Sequence, residues 1–368
     1  MSKIRETGFK GVRGMSWKKL LFKDFITLQR GFDLTKTQMK EGEVPVLGSN
    51  CIIGYHNESK VTPQGVVTGR SGTLGVVQFI EKDFWPHNTA LWVKDFKGNI
   101  PRFVYYKLQT LHLENFNGGA SVPTLNRNVL DTLPVSAPDV ETQSKIATTL
   151  SNYDDLIENN RRRIQLLERS LHLLYKEWFV HLRFPSHKHS KIVDGIPEGW
   201  SKISLGEALT LQRGFDLPTA ERKNGRYPVF ASTGINGYHD QYKVKAPCVV
   251  TGRSGSLGTV MYVAEDFWPL NTTLWVKEFK LVEPLIALYL LRSLKLEQYN
   301  GGAAVPTLNR NDVHRIEFSC PPKKLQEFFL DVANPIYSQM RVLEQQNVQL
   351  KQARDLLLPK LMSGAISV

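Results

Sequence analysis

Two stretches of the chain carry seam positions spaced alternately three and four residues apart. In the first, Ile146, Leu150, Tyr153, Ile157, Asn160, Ile164, Leu167, Leu171, Leu174 and Trp178 hold that spacing, with one polar member, Asn160. In the second, Phe329, Val332, Ile336, Gln339, Leu343, Gln346, Leu350, Ala353 and Leu357 do the same. This heptad period predicts two long amphipathic helices. Pro335, near the start of the second, is expected to kink or restart it. A helix of about 40 residues is about 60 Å long, too long to bury its seam on one small domain. Each helix is the economical partner of the other, and antiparallel pairing would make the two a spacer.

Between the helical stretches the pattern changes to short β-leaning runs with glycine-rich turns, and those runs occur twice. LQRGFDL at Leu28–Leu34 returns at Leu211–Leu217, an offset of 183 residues. TGRSG (Thr68, Thr251), FWP (Phe84, Phe267) and the NGGA-x-VPTLNRN loop (Asn117, Asn300) return at that offset, as does Trp17 at Trp200. A constant offset means no net insertion or deletion between the copies. Differences gather in polar stretches, 35–43 against 218–226 and 57–64 against 240–247, which reads as surface-loop drift around a retained backbone. VVTGRSGTLGVVQFI and its repeat read as two strands joined by a glycine-rich turn, followed by a helical piece (PRFVYYKLQTLHL; PLIALYLLRSLKL).

The chain therefore divides into an N-terminal segment (1–16), a first mixed domain (17–140) and a long helix (141–183). A linker (184–199), a second domain (200–322), a second long helix (323–362) and a tail (363–368) follow. The expected fold class is α+β: two similar mixed domains separated by an antiparallel coiled coil, with pseudo-two-fold symmetry.

The composition is that of a globular protein, with 41% hydrophobic and 22% charged residues. No apolar run suits a membrane span, and no apolar stretch follows the basic N-terminus, so a cytoplasmic location is expected. Cys51, Cys248 and Cys320 have no paired spacing, which suits a reducing compartment. The net charge of +12 fits a polyanionic partner but is spread along the chain.

Several repeated residue pairs have the chemistry to read nucleic acid. Arg70–Ser71 and Arg253–Ser254 sit on glycine-flanked turns, which suit either a bidentate contact to guanine or a solvated hairpin. Gln29–Arg30 and Gln212–Arg213 offer long donors before a glycine, and a structural turn explains them equally well. Asn126–Arg127 and Asn309–Arg310 follow the VPTL loop and suit either a structural turn or a phosphate contact. Asn88–Thr89 and Asn271–Thr272 read as turn formers. Arg161–Arg162–Arg163 reads first as a solvated helix face and second as a surface for a partner or the DNA backbone. His181, His187 and His189 lie beside a linker that looks flexible, with no fourth ligand, so no metal site is expected. The chain has no GxxxxGK[ST] loop, no dinucleotide fingerprint, no Asn-Pro-Pro-aromatic motif and no nuclease spacing, so no catalytic residue is expected.

The helical segments ETQSKIATTLSNYDDLIENNRRRIQLLERSLHLLYKEWF (141–179) and QARDLLLPKLMSG (352–364) are similar to the two long helices of specificity subunits of type I restriction–modification enzymes. With the repeat and the VPTLNRN loops, the resemblance covers residues 17–364. It implies that each mixed domain is a target-recognition domain reading half of a split site in double-stranded DNA. It also implies two docked methyltransferase subunits and motor-nuclease subunits, which would carry S-adenosylmethionine, ATP and Mg. This chain itself would bind no cofactor and catalyse nothing. Domains this alike imply a palindromic or nearly palindromic site. The alternative is a coiled-coil scaffold without sequence-specific DNA binding.

Overall fold

The computed structural model describes residues 17–118, 122–301 and 305–368; the expected N-terminal segment, 1–16, lies outside the described residues. The chain forms two compact units. The first comprises residues up to Arg161 together with Glu344–Val368, and the second Arg162–Leu343.

In the first unit the strands are β1 (Lys18–Leu21), β2 (Thr27–Arg30), β3 (Val44–Leu47), β4 (Ile52–His56), β5 (Gly65–Gly69), β6 (Val77–Ile80), β7 (Trp85–Pro86), β8 (Ala90–Asp95) and β9 (Pro134–Ala137). The helices are α1 (Phe22–Phe25), α2 (Pro101–Gln109), α3 (Arg127–Leu130) and the long α4 (Val140–Tyr175), which continues into the second unit. A four-stranded antiparallel sheet runs β2-β8-β5-β6, a three-stranded sheet runs β4-β3-β7, and β1 pairs with β9.

Period-two alternation divides the larger sheet between two cores. Leu28, Val66, Leu91 and Val93 face Phe103, Val104 and Leu108 of α2. Val67 and Trp92 face the other way and pack with Leu47, Phe84 and Ala90. Burying each large apolar side chain contributes about 1.5–3 kcal/mol. Pro101 starts α2, where its missing N–H costs nothing.

The second unit repeats these elements at the same offset. After a two-strand hairpin, β10 (Ile192–Val193) and β11 (Ile196–Pro197), come β12 (Ser201–Ser204), β13 (Leu209–Arg213), β14 (Tyr227–Ala231), β15 (Gly234–His239), β16 (Cys248–Gly252), β17 (Val260–Val263), β18 (Trp268–Pro269), β19 (Thr273–Phe279) and β20 (Glu317–Cys320). Its helices are α5 (Leu205–Ala208), α6 (Pro284–Ser293), α7 (Arg310–His314) and α8 (Lys323–Ser363), which ends in the first unit. The sheets run β13-β19-β16-β17 and β15-β14-β18. Register repeats as well: Arg30 pairs with Leu91 and Arg213 with Leu274.

The linker is more ordered than its composition suggests. Phe184 is buried against Trp200 at 5.7 Å, and His187 Nδ1 lies 2.9 Å from the Phe184 carbonyl. Among the described residues no three His, Cys, Asp or Glu side chains are grouped to hold a metal ion. No described helix is long and apolar enough to cross a membrane.

Within each unit the long helices pair antiparallel. In the first, Asn347 Nδ2 donates to the Ile157 carbonyl at 3.3 Å, Asn160 Nδ2 donates to Gln346 Oε1 at 3.4 Å, and Arg354 pairs with Asp154. In the second, Trp178 stacks on Phe328 and meets Phe329 edge-on. The α4 seam faces inward as its spacing predicts, including Asn160, which is buried. The α8 seam needs a correction. Phe329 and Leu343 are buried and Ile336, Leu350 and Leu357 half-buried, but the alternate seam positions are Ala333, Met340 and Asn347, each one residue after the expected Val332, Gln339 and Gln346. Nor does Pro335 restart the helix. Pro335 and Asp331 are both exposed, so the Asp331 carbonyl that loses its N–H partner faces water.

Candidate nucleic-acid interface

The fold joins three motifs that are far apart in sequence. In the first domain, β5 ends in the TGRSG turn, which pairs with the VPTLNR loop. Leu125 N–H donates to the Arg70 carbonyl at 2.8 Å, Gly72 N–H to the Pro123 carbonyl at 3.0 Å, and Ser71 bridges Thr124. On its other side Arg70 N–H donates to the Thr89 carbonyl at 2.8 Å. The second domain repeats each bond: Leu308 to Arg253, Gly255 to Pro306, Ser254 with Thr307, and Arg253 to Thr272.

Glycine is required twice in this turn. A Cβ on Gly69 or Gly252 would stand 1.9 or 1.8 Å from the carbonyl oxygen of Thr73 or Ser256. Gly72 and Gly255 adopt φ of +89° and +85°, a conformation other residues rarely take.

The guanidiniums are held from behind. Arg70 Nη1 donates to the Asn88 carbonyl at 3.3 Å, and Arg253 Nη1 to the Asn271 carbonyl at 3.4 Å. Arg30 Nη2 pairs with Asp33 at 2.8 Å, and Arg213 Nη2 with Asp216 at 3.7 Å. Asn88 donates to Asp33, and Asn271 to Asp216, through their side-chain amides. The asparagine thus links the QRG turn to the TGRSG turn, using its carbonyl for one arginine and its amide for the other arginine's aspartate.

In the second domain these groups open on a cavity of about 540 Å³ lined by Arg213, Arg253, Leu274, Thr307, Leu308, Asn309 and Arg310. Three arginines from three motifs meet there. Arg213 and Arg310 are exposed and Arg253 half-buried, and in the first domain Arg30, Arg127 and Arg70 have the same exposures. Such a site can take a phosphate oxygen or the acceptor edge of a base.

Gln29 and Gln212 are not brought into this group. They pair across the sheet with Trp92 and Trp275 and are half-buried. Asn126 and Asn309 act as helix caps, their Oδ1 atoms accepting the N–H of Asn128 and Asn311 at 3.0 Å at the starts of α3 and α7. That leaves only the amide N–H₂ of each for a ligand. His314, on α7, accepts the Leu211 N–H at 2.9 Å and so fixes α7 to β13. Burial, aided by Arg310 and Lys280, lowers the His314 pKa and keeps its ring a neutral acceptor.

The same twofold arrangement is found in known proteins. The family model for the type I restriction modification DNA specificity domain matches twice, at residues 15–169 and 197–352. The chain belongs to this family. The MjaIX specificity subunit of Methanocaldococcus jannaschii is 28% identical over 305 residues, covering 74% of this chain and 70% of that one. The MjaVIII specificity subunit of that organism is 27% identical over 135 residues, 36% of this chain and 30% of its own. The crystal structure of the type I restriction–modification S subunit from M. genitalium shares the fold, with a TM-score of 0.64 at 20% identity over 96% of this chain and 98% of that chain.

For a specificity subunit the members of the site that sequence reasoning missed are informative. Asp33 and Asp216, Thr124 and Thr307 all lie inside repeated motifs, and Asn88 and Asn271 read only as turn formers. The available signal was their retention in both copies, with Asp33, Asp216, Thr124 and Thr307 each three residues from an arginine. What was illegible was that Asn88 and Asp33, 55 residues apart, touch.

Proposed function

We propose that each domain of this specificity subunit reads one half of a split site in double-stranded DNA, with the arginine group as its anchor. The observation that carries this reading is the bond-for-bond repetition of the TGRSG, QRG and LNR arrangement in two domains. Sequence drift altered the loops around it and left these bonds alone. Arg70 and Arg253, held by a backbone carbonyl and only half-buried, are the best base readers. Arg30, Arg213, Arg127 and Arg310, more exposed, suit phosphates, with Ser71 and Ser254 beside them. Asn126 and Asn309 retain an amide donor for the same backbone, and Gln29 and Gln212 rank last because they pair across the sheet with Trp92 and Trp275, outside the arginine group.

Domains that share these contacts favour half-sites of the same sequence on opposite strands, hence a palindromic or nearly palindromic target. In this reading the chain is non-catalytic. Two methyltransferase subunits dock on it and supply S-adenosylmethionine, and motor-nuclease subunits supply ATP and Mg chemistry. Exposed Leu156, Leu166 and Leu173 on α4 are apolar surface suited to such docking.

The test is the genome-wide methylated-adenine motif with and without the gene. Loss of a split, near-palindromic motif is expected on deletion. Loss of a strongly asymmetric motif would keep the role and reject the matched-half-site reading. An unchanged methylome, together with no sequence preference by the purified complex at moderate salt, would favour the scaffold alternative.

A further inference from the structure

The two domains match in their arginine groups and part company at one adjoining place. In the first domain the turn of the β3–β4 hairpin lies against the TGRSG turn: a Cβ on Gly69 would meet the Ser49 carbonyl at 2.9 Å. In the second, a Cβ on Gly252 would meet Ser232 Cβ at 3.3 Å. The hairpin tip is therefore continuous with the surface that carries Arg70 or Arg253. Both tips expose large apolar side chains, Ile52, Ile53 and Tyr55 in one and Ile235 and Tyr238 in the other, each at least 41% accessible.

A coupled difference distinguishes the tips. Where the first domain has Met39 and Ile53, the second has Arg222 and Asn236. Met39 packs with Leu34, Val46 and Trp85, and its sulfur lies 2.8 Å from where a Cβ on Gly54 would stand, so the first tip is held by apolar contact and presents an apolar face. Arg222 instead reaches to the hairpin, its Nη1 donating to the Asn236 carbonyl at 2.5 Å and to Asn236 Oδ1 at 2.8 Å. The Asn236 oxygen is thereby engaged, Arg222 also turns Nη2 to the Leu217 carbonyl at 3.5 Å, and the donor left on the exposed face is the Asn236 amide. Neither residue's change makes sense alone: Met39 has nothing to offer an asparagine, and Arg222 would leave an isoleucine unbonded.

We infer that the hairpin tip is a second base-reading element in each domain, and that this paired exchange makes the two half-sites differ at one base pair. The apolar first tip fits the methyl group of thymine, and the donor-bearing second tip fits the O6 and N7 acceptors of guanine, both in the major groove. The inference rests on the proposed reading of DNA by these domains.

Reciprocal transplantation tests it, in the full chain assembled with its methyltransferase subunits and read by sequencing methylated adenines on a randomised duplex library. The Met39→Arg/Ile53→Asn pair should move one base pair of one half-site from A·T toward G·C, by about tenfold or more, and leave the other half unchanged. The Arg222→Met/Asn236→Ile pair should do the reverse in the other half. Each substitution installs what the sister domain already holds there, and Ile53→Ser, with an unshifted melting curve, should lose the A·T preference without gaining another. An unchanged motif in all variants while Arg253→Ala alters it would overturn this inference and spare the anchor. Weakened assembly with the methyltransferase subunits at an unchanged motif would assign the tip to a protein contact and overturn it as well. No sequence preference in any form of the complex would reject both readings.

Discussion

The first unit has a polar core where the second has an aromatic one. In the first, Tyr106 donates to Asp154 at 2.5 Å, Asp154 pairs with Arg354, and Lys107, 6% exposed, donates to the Met362 carbonyl at 3.0 Å. At the repeat-equivalent places the second unit has Tyr289, Tyr337, Leu171 and Leu290. There Tyr175 stacks on Tyr289 at 5.7 Å, and Tyr262 meets Tyr337 at 4.7 Å. The strand order and register are the same in both units. One scaffold thus accepts either solution in its interior, provided that charges are paired and volume is filled, while its arginine surface did not change.

The largest effect expected from this contrast is that of Asp154→Ala. It leaves Arg354 with Asp355 as its remaining carboxylate partner, at 2.7 Å, and the Tyr106 hydroxyl loses its acceptor, so unfolding of the first unit should become easier by about 2–3 kcal/mol. Hydrogen exchange in urea, resolved by unit, reports it; equal loss in both units, or a loss under about 1 kcal/mol, would show that the node is unimportant.

Next in size is the surface. Arg253→Ala should cost about 1–3 kcal/mol against the matching base in the second half-site only, and Arg70→Ala the same in the first. Competition binding of the assembled complex to duplexes altered in one half measures this. A uniform loss over all sequences with a shallower salt dependence would instead make these residues phosphate contacts.

A smaller effect separates the units by pH. Burial pulls the Lys107 pKa down to about 8 from its ordinary 10.5. Between those values the unfolded chain holds more protons than the folded one, so stability of the first unit should rise with pH across that window and be flat below it. Lys107→Leu, which copies the second unit, should abolish the slope and stabilise the unit by about 1–2 kcal/mol near neutral pH. Melting curves from pH 7 to 10 decide the matter, and a slope that survives the substitution would trace it to other groups. Smallest is the capping pair: Asn126→Ala and Asn309→Ala should each cost about 1 kcal/mol of stability and leave base preference unaltered.

Much of this architecture was legible because it is periodic. The repeat announced two like domains, and the α4 seam announced a helical partner. The second seam lies one residue away from the expected one: Ala333, Met340 and Asn347 turn inward, whereas Val332, Gln339 and Gln346 are exposed. The arginine group was half legible: its members stood in repeated motifs, but their meeting depends on the β5 turn pairing with a loop some 50 residues away, as in Ser71 with Thr124. Asn126 has a part that its motif did not reveal, since an asparagine that opens a short helix spends its oxygen on the cap and keeps its amide donor for a ligand. The contrast between Lys107 and Leu290 was visible as a difference, yet nothing local said that a helix-end carbonyl would lie opposite.

That carbonyl has a consequence for how the protein is made. Lys107 and Met362 stand 255 residues apart in sequence, and Leu361 and Met362 complete the first unit's core. At about 5–20 residues per second, a ribosome needs on the order of tens of seconds to pass from one to the other. Throughout that time the first domain has been synthesised but lacks one wall, with its apolar surface open to chaperones, proteases or another nascent copy of the same chain.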